Sequence, residues 1–225
     1  MLPVMFSIQA KIFATFIGVG LAIAALIGAY RWRSWKRQIK MWEDFAASRG
    51  WRFESQPGSL SYIGTLRLDG EHAGRSFTVE TEHRTSGKRS HIVTLIRHDL
   101  GASFPREVSI RPEKLANKLG KLFGVRDEEI GDTQLDAALN LKNVTPRARD
   151  LLLGGRLHRP LLNIVRGFET FTIEDGKLTA EVMDVPRTTI ELYTLLAPVR
   201  ELADAIPSPH DASRENDTTP EAAGA

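Results

Sequence analysis

The stretch 82-EHRTSGKRSHIVTLIRH-98 holds most of the residue types with which this chain could do chemistry: a Gly-Lys pair of the kind that grips phosphates, and three histidines, His83, His91 and His98. A phosphate loop of the pattern G-x-x-x-x-G-K-[ST] uses backbone N–H groups and the lysine on the phosphates and a hydroxyl on Mg²⁺. Glu82 stands where the first glycine belongs and Arg89 where the hydroxyl residue belongs, so the motif fails at two positions. Ser86-Gly87-Lys88 reads instead as the turn of a β-hairpin whose glycine takes positive φ. His83 and His91 flank that turn and would supply half of a metal site if they faced each other. Zinc wants three or four ligands, and no third is set by spacing. His98-Asp99 has the form of an oriented base, but Ser103 beside it lacks the Gly-x-Ser-x-Gly elbow. The acidic run 127-DEEIGDTQLD-136 lacks the alternating ladder and closing glutamate of a Ca²⁺ loop, and a capping role for Asp132 accounts for it. No catalytic residue, metal ligand or cofactor is assigned on these grounds.

The elements that would position these residues begin with an anchor. From Ile12 to Tyr30 the chain runs IFATFIGVGLAIAALIGAY, nineteen residues without a charge. As a helix this spans roughly 28 Å, about one hydrocarbon core. Arg31, Arg33, Lys36, Arg37 and Lys40 follow before the first acid, Glu43, whereas only Lys11 and the amino terminus precede the run. That asymmetry is the reverse of a cleavable signal peptide and, by the positive-inside rule, directs the C-terminal side into the cytoplasm. Trp32, Trp35, Ile39, Trp42 and Ala46 recur at helical spacing, so a basic, Trp-rich juxtamembrane helix is expected over 31–47. Its tryptophans and cations suit a headgroup collar, with Trp42 and Phe45 the residues best placed to pack on the domain beyond. Gly20, Ala24 and Gly28 lie four apart and form a small-residue face that another helix could approach.

The remaining chain reads as α+β: a mainly antiparallel sheet with packed helices over 48–206, then a polar tail, 207–225, with the composition of disorder. Strands are expected at Tyr62–Leu68, Ser76–His83, His91–Arg97 and Val108–Ile110, with 69-DGEHAG-74 as a turn. Pro112 suits the start of a helix carrying Leu115, Leu119, Leu122 and Phe123. A turn and a short strand follow over Asp132–Leu141, then a helix capped by Thr145-Pro146 and stopped by Gly154-Gly155, and a second holding Leu157, Leu161, Leu162 and Val165. FETFTIEDGKLTAEVM is two alternating runs around Asp175-Gly176, the preferred pair for a type I′ hairpin. A last helix from Arg187 to Ala205 would bury Ile190, Leu195, Val199 and Leu202.

Composition sets further bounds. There are 225 residues, 42% hydrophobic, and no cysteines, so disulfides, thiolate metal sites and cysteine nucleophiles are excluded. The net charge of +2 conceals a polarity: residues 1–126 hold 20 basic and 10 acidic side chains, residues 127–225 hold 10 and 18. The basic positions Arg84, Lys88, Arg89, Arg111, Lys114, Lys118 and Lys121 could form one membrane-facing surface. Nucleic acid is disfavoured as a partner because the interleaved aromatics of single-strand binders are missing.

The run 131-GDTQLDAALNLKNVTPRARDLLL-153, the leucine pair at 161–162 and the Asp175-Gly176 hairpin resemble the C-terminal part of bacterial single-pass membrane-anchored domains of unknown function, over about 125–205. That resemblance implies the architecture and carries no catalytic residues. The expectation is a single-pass inner-membrane protein, N-terminus outside, whose cytoplasmic domain binds or assembles. Its partners would be anionic lipid headgroups and a homo- or hetero-oligomer formed through the membrane helix. The competing reading is a membrane-proximal hydrolase or metal enzyme built on His83, His91 and His98.

Overall fold

A computed structural model describes residues 2–58, 64–87, 89–113 and 128–207. The expected helix over Leu115–Phe123 and the tail after 207 lie outside these residues. The chain is α+β: one long N-terminal helix, then an eight-stranded antiparallel sheet with helices against one side.

Helix α1 runs unbroken from Leu2 to Ala47. Nothing between the apolar run and the basic segment interrupts it, since neither Gly nor Pro falls between Ala29 and Ala47. It is long and apolar enough to cross a membrane, and its apolar part projects bare, with Phe16, Leu21 and Leu26 exposed. The last turns do something else. Trp42, Phe45 and Ala46 are buried in the core of the folded domain, and Trp35, Ile39 and Met41 pack against it. The domain therefore starts inside α1, near Trp35, and not at residue 48.

The strands follow as β1 (Arg52–Gln56), β2 (Thr65–His72), β3 (Arg75–Ser86), β4 (Arg89–Asp99) and β5 (Ser109–Pro112). Then come α2 (Thr133–Ala138), β6 (Leu139–Lys142), α3 (Pro146–Leu153) and α4 (His158–Gly167). The chain closes with β7 (Thr170–Glu174), β8 (Lys177–Met183) and α5 (Thr189–Ala205). The spatial order is β1-β2-β3-β4-β8-β7-β5-β6. Asp175 (φ 50°) and Gly176 (φ 68°) make the type I′ turn their sequence calls for. Thr145 caps α3, its hydroxyl accepting from the Ala148 N–H.

Several expectations are corrected. The β2–β3 turn is Ala73-Gly74, both at positive φ, while Asp69 and Gly70 remain within β2. Gly70 is needed for space: a Cβ there would stand 2.7 Å from the Trp51 ring. Pro112 is itself the last residue of β5, paired with Leu139, and the helix expected beyond it lies outside the described residues. In α5 the buried face is Leu192, Leu196, Val199 and Leu202, and Ile190 is 78% exposed.

The two sides of the sheet differ. One side buries Leu66, Leu68, Val79, Ile96, Ile110, Phe171 and Leu178 under α1, α4 and α5. The other carries a ladder of ion pairs: Arg52 and Arg67 on Asp69, Arg67 and Arg97 on Glu80, Arg97 and Arg84 on Glu82, and Arg84 again near Glu181. Val93 and Leu95 lie on that same side by register, facing Glu82 and Glu80, yet are buried. The aliphatic stems of the charged side chains around them are long enough to cover them.

Candidate functional site

The three histidines do not converge. His83 pairs with Ile92 and His91 with Arg84, one position out of register, so their side chains leave opposite faces of the hairpin. His98 is opposite Phe77, six positions from His83 along β3, roughly 20 Å away. Among the described residues no group of three or more His, Asp or Glu is placed to hold a metal ion. The acidic run is taken up in local structure. Asp132 accepts from the N–H groups of Gln134 and Leu135, and Asp136 from those of Ile130 and Gly131.

His98 belongs to a structural corner. It is 2% exposed, stacks on Phe77 at 5.9 Å, and its Nδ1 lies 2.7 Å from the Asp99 carbonyl, to which it donates. Burial, above all, holds its pKa below the ordinary 6.5, so the ring is neutral and Nε2 bears a lone pair. Beside it, buried Arg75 donates to the carbonyls of Ala203, Ile206 and Pro207 at 2.7–2.9 Å. A fixed cation there satisfies carbonyls at the end of α5 and complements its dipole. His72 Nε2 lies 2.7 Å from Asp204, fastening β2 to the same end. No spacing in the sequence announced this corner, because its parts are about 130 residues apart.

The larger opening is where α1 leaves the domain. The indole Nε1 of Trp42 and the amide of Gln38 both donate to the Pro186 carbonyl, each at 3.1 Å, so the β8–α5 connection is clasped onto α1. One turn and more toward the N-terminus, Trp35 packs on Gly64, where a Cβ would stand 2.7 Å from the ring. Below these contacts the domain overhangs the helix, leaving a cavity of about 1170 Å³ lined by α1 from Ala24 to Gln38 and by Gly58, Gly64 and Arg187. A second cavity of about 550 Å³ adjoins it, sharing Arg31, Gln38 and Arg187 and bordered by His83, Ser90 and His91.

This arrangement divides the expected headgroup collar. Trp42 is wholly buried and Trp35 half-buried, so both serve the domain; Trp32, 63% exposed, stays out of the core and borders the large cavity. Arg31 and Arg37 line the large cavity, whereas Arg33, Lys36 and Lys40 are exposed outside it, with Lys40 paired to Asp44 at 3.1 Å. Ala24 and Gly28 line the apolar end of the same cavity, and Gly20 lies one turn further along, with nothing within 4 Å of a Cβ built on Gly20 or Gly28. The single basic surface also dissolves where it is described. Arg84 is committed to Glu82 and Glu181, and Arg111, at the other end of the strands, to Glu174. Gln38 could have been found by extending the Trp35–Trp42 spacing; Arg187 had no sequence signal.

No family model matches the chain, and no curated protein or solved structure matches it either.

Proposed function

We propose that this chain is a single-pass protein of a bacterial cytoplasmic membrane, N-terminus outside, whose cytoplasmic domain is a binding or assembly module held at a set angle to the membrane. The observation that carries this reading is the continuity of α1: the helix that is apolar enough to span ends as part of the domain core, through Trp42, Phe45 and Ala46. A domain meant to search a volume is joined to its anchor by a flexible linker. Here no linker intervenes, so surfaces of the domain keep their distance and orientation relative to the leaflet. The five basic residues between Arg31 and Lys40 support the inward orientation of the domain. Anionic headgroups are the nearest partners for those charges, and the small residues Gly20, Ala24 and Gly28 leave one face of the helix open to close approach.

The test is topological. A reporter active only outside the cytoplasm, fused after Pro207, stays silent, and the same reporter fused at the N-terminus is active. Carbonate washing leaves the chain in the membrane pellet. Activity of the C-terminal fusion, or release by carbonate, refutes the proposal.

A further inference from the structure

Resting on that single-pass reading, we propose that the cleft between α1 and the overhanging domain binds one anionic glycerophospholipid. Arg31, Arg37 and Arg187 hold its phosphate, and its acyl chains lie along Ala24, Ile27 and Gly28.

Three features of the cleft point to this occupant. Its polarity is graded along the helix. Ala24, Ile27 and Gly28 form the far end, Arg31 stands one turn nearer the domain, and Gln38 closes the top. From Ala24 to Gln38 the rise is roughly 21 Å, comparable with one leaflet's worth of acyl chain and headgroup. The charge is one-sided as well. Among the described residues three guanidinium groups line the cleft and no carboxylate does. Among the described residues Arg31 and Arg37 have no ion pair, and Arg187 has only Asp184 at 3.6 Å, both partners about three-quarters exposed. A guanidinium fork matches phosphate oxygens two at a time, so three of them facing one space select a phosphate rather than a neutral headgroup.

The third feature is shape. Gly28 has open space where a side chain would stand, which leaves room for a chain of methylenes against the helix backbone. A neighbouring transmembrane helix fits the lower part of this face less well. It is about 10 Å across and continues beyond the hydrocarbon, where Gly58, Gly64 and Arg187 already overhang. A lipid ends at the level of the arginines.

The experiment uses the full-length chain purified in mild detergent, with phosphatidylglycerol and phosphatidylcholine of identical acyl chains offered in equal amounts and bound lipid read by native mass spectrometry. Phosphatidylglycerol is retained in preference, and Arg31→Ala, Arg37→Ala and Arg187→Ala each weaken that retention about fivefold. Arg33→Ala and Lys36→Ala remove the same charge from outside the cleft and leave retention unchanged. Gly28→Leu fills the apolar end and lowers retention without touching a charge. Equal losses from the two sets of charge variants, or no preference between the lipids, overturn the site in favour of diffuse attraction. Efficient cross-linking of Gly28→Cys chains to each other, clean because the protein has no other cysteine, overturns it in favour of a second copy. If the chain stays in the carbonate pellet but shows no lipid preference, the lipid site falls and the single-pass reading stands; if carbonate releases it, both fall.

Discussion

Cutting the chain at residue 48 should abolish the fold, although the sequence places the soluble domain's start there. The perturbation is the difference between fragments 33–207 and 48–207. The shorter one loses Trp42, Phe45 and Ala46, all buried, and the partial cover of Trp35, Ile39 and Met41. Trp42 and Phe45 together bury about 400 Å² of mostly apolar surface, worth about 10 kcal/mol at 25 cal/mol per Å² as an upper bound. A domain of this size has only about 5–15 kcal/mol in total. The cut also leaves Leu66 and Leu68 open to water and the Pro186 carbonyl without its two donors. Urea unfolding followed by near-ultraviolet circular dichroism decides it: 33–207 unfolds in one cooperative transition, and 48–207 shows none or a midpoint close to zero denaturant. Within 33–207, Trp42→Ala costs about 3–5 kcal/mol, whereas Lys36→Ala, at an exposed position of the same helix, costs less than about 0.5 kcal/mol. A 48–207 fragment as stable as 33–207 would refute the claim that α1 completes the core.

The other predictions concern charged and titrating groups. Asp69 accepts from Arg67 above all, and from Thr78 and Arg52, which hold its carboxyl at about 2 against an ordinary 3.8. The stability this gives is present above pH 4 and lost as pH falls toward 2, and Asp69→Asn removes about 1–2 kcal/mol at pH 7 but almost nothing at pH 2. Arg75→Met leaves three carbonyls at the end of α5 unbonded and destabilises by about 3 kcal/mol, with hydrogen exchange rising first in the last turn of α5. His98 has a folded pKa below its unfolded 6.5, so the unfolded chain binds the extra proton first and stability falls as pH drops below about 6.5. His98→Phe, which keeps the stacked ring on Phe77, flattens the pH dependence between 5 and 7; an unchanged slope would assign it to other groups.

Local chemistry was legible where it decides structure by itself. Asp175-Gly176 and Thr145-Pro146 act through φ preference and a single cap, and both stand where the sequence predicts them. Asp69-Gly70 carries the same signal as Asp175-Gly176 and is a strand, because Gly70 answers to the Trp51 ring and not to a turn. Strand β1, RFESQ, offers one apolar residue, Phe53, too little for alternation to register. In α5 the sequence supports two faces, one through Ile190 and one through Leu192, and only packing against α4 and the sheet chooses. The cleft was half legible. Arg31 and Arg37 stood out as charges, but their separation from Arg33 and Lys36 depends on which face of α1 docks. Arg187 joins them from some 150 residues away.

The ion-pair ladder explains why the charge excess of the first half of the chain does not become a basic sheet face. Arg52, Arg67, Arg84 and Arg97 are each met by a carboxylate on the same or a neighbouring strand. Paired at 3–4 Å, these charges cancel within a Debye length and project little field. The cations of Arg31, Arg33, Lys36 and Arg37 have no such partners among the described residues, and all four sit within two turns of the point where α1 leaves the domain. These four cations therefore cluster at that exit. Because Trp42 and Gln38 fix α1 to the Pro186 carbonyl, this charge is held at one angle to the domain, with Arg31 and Arg37 turned into the cleft and Arg33 and Lys36 turned out of it.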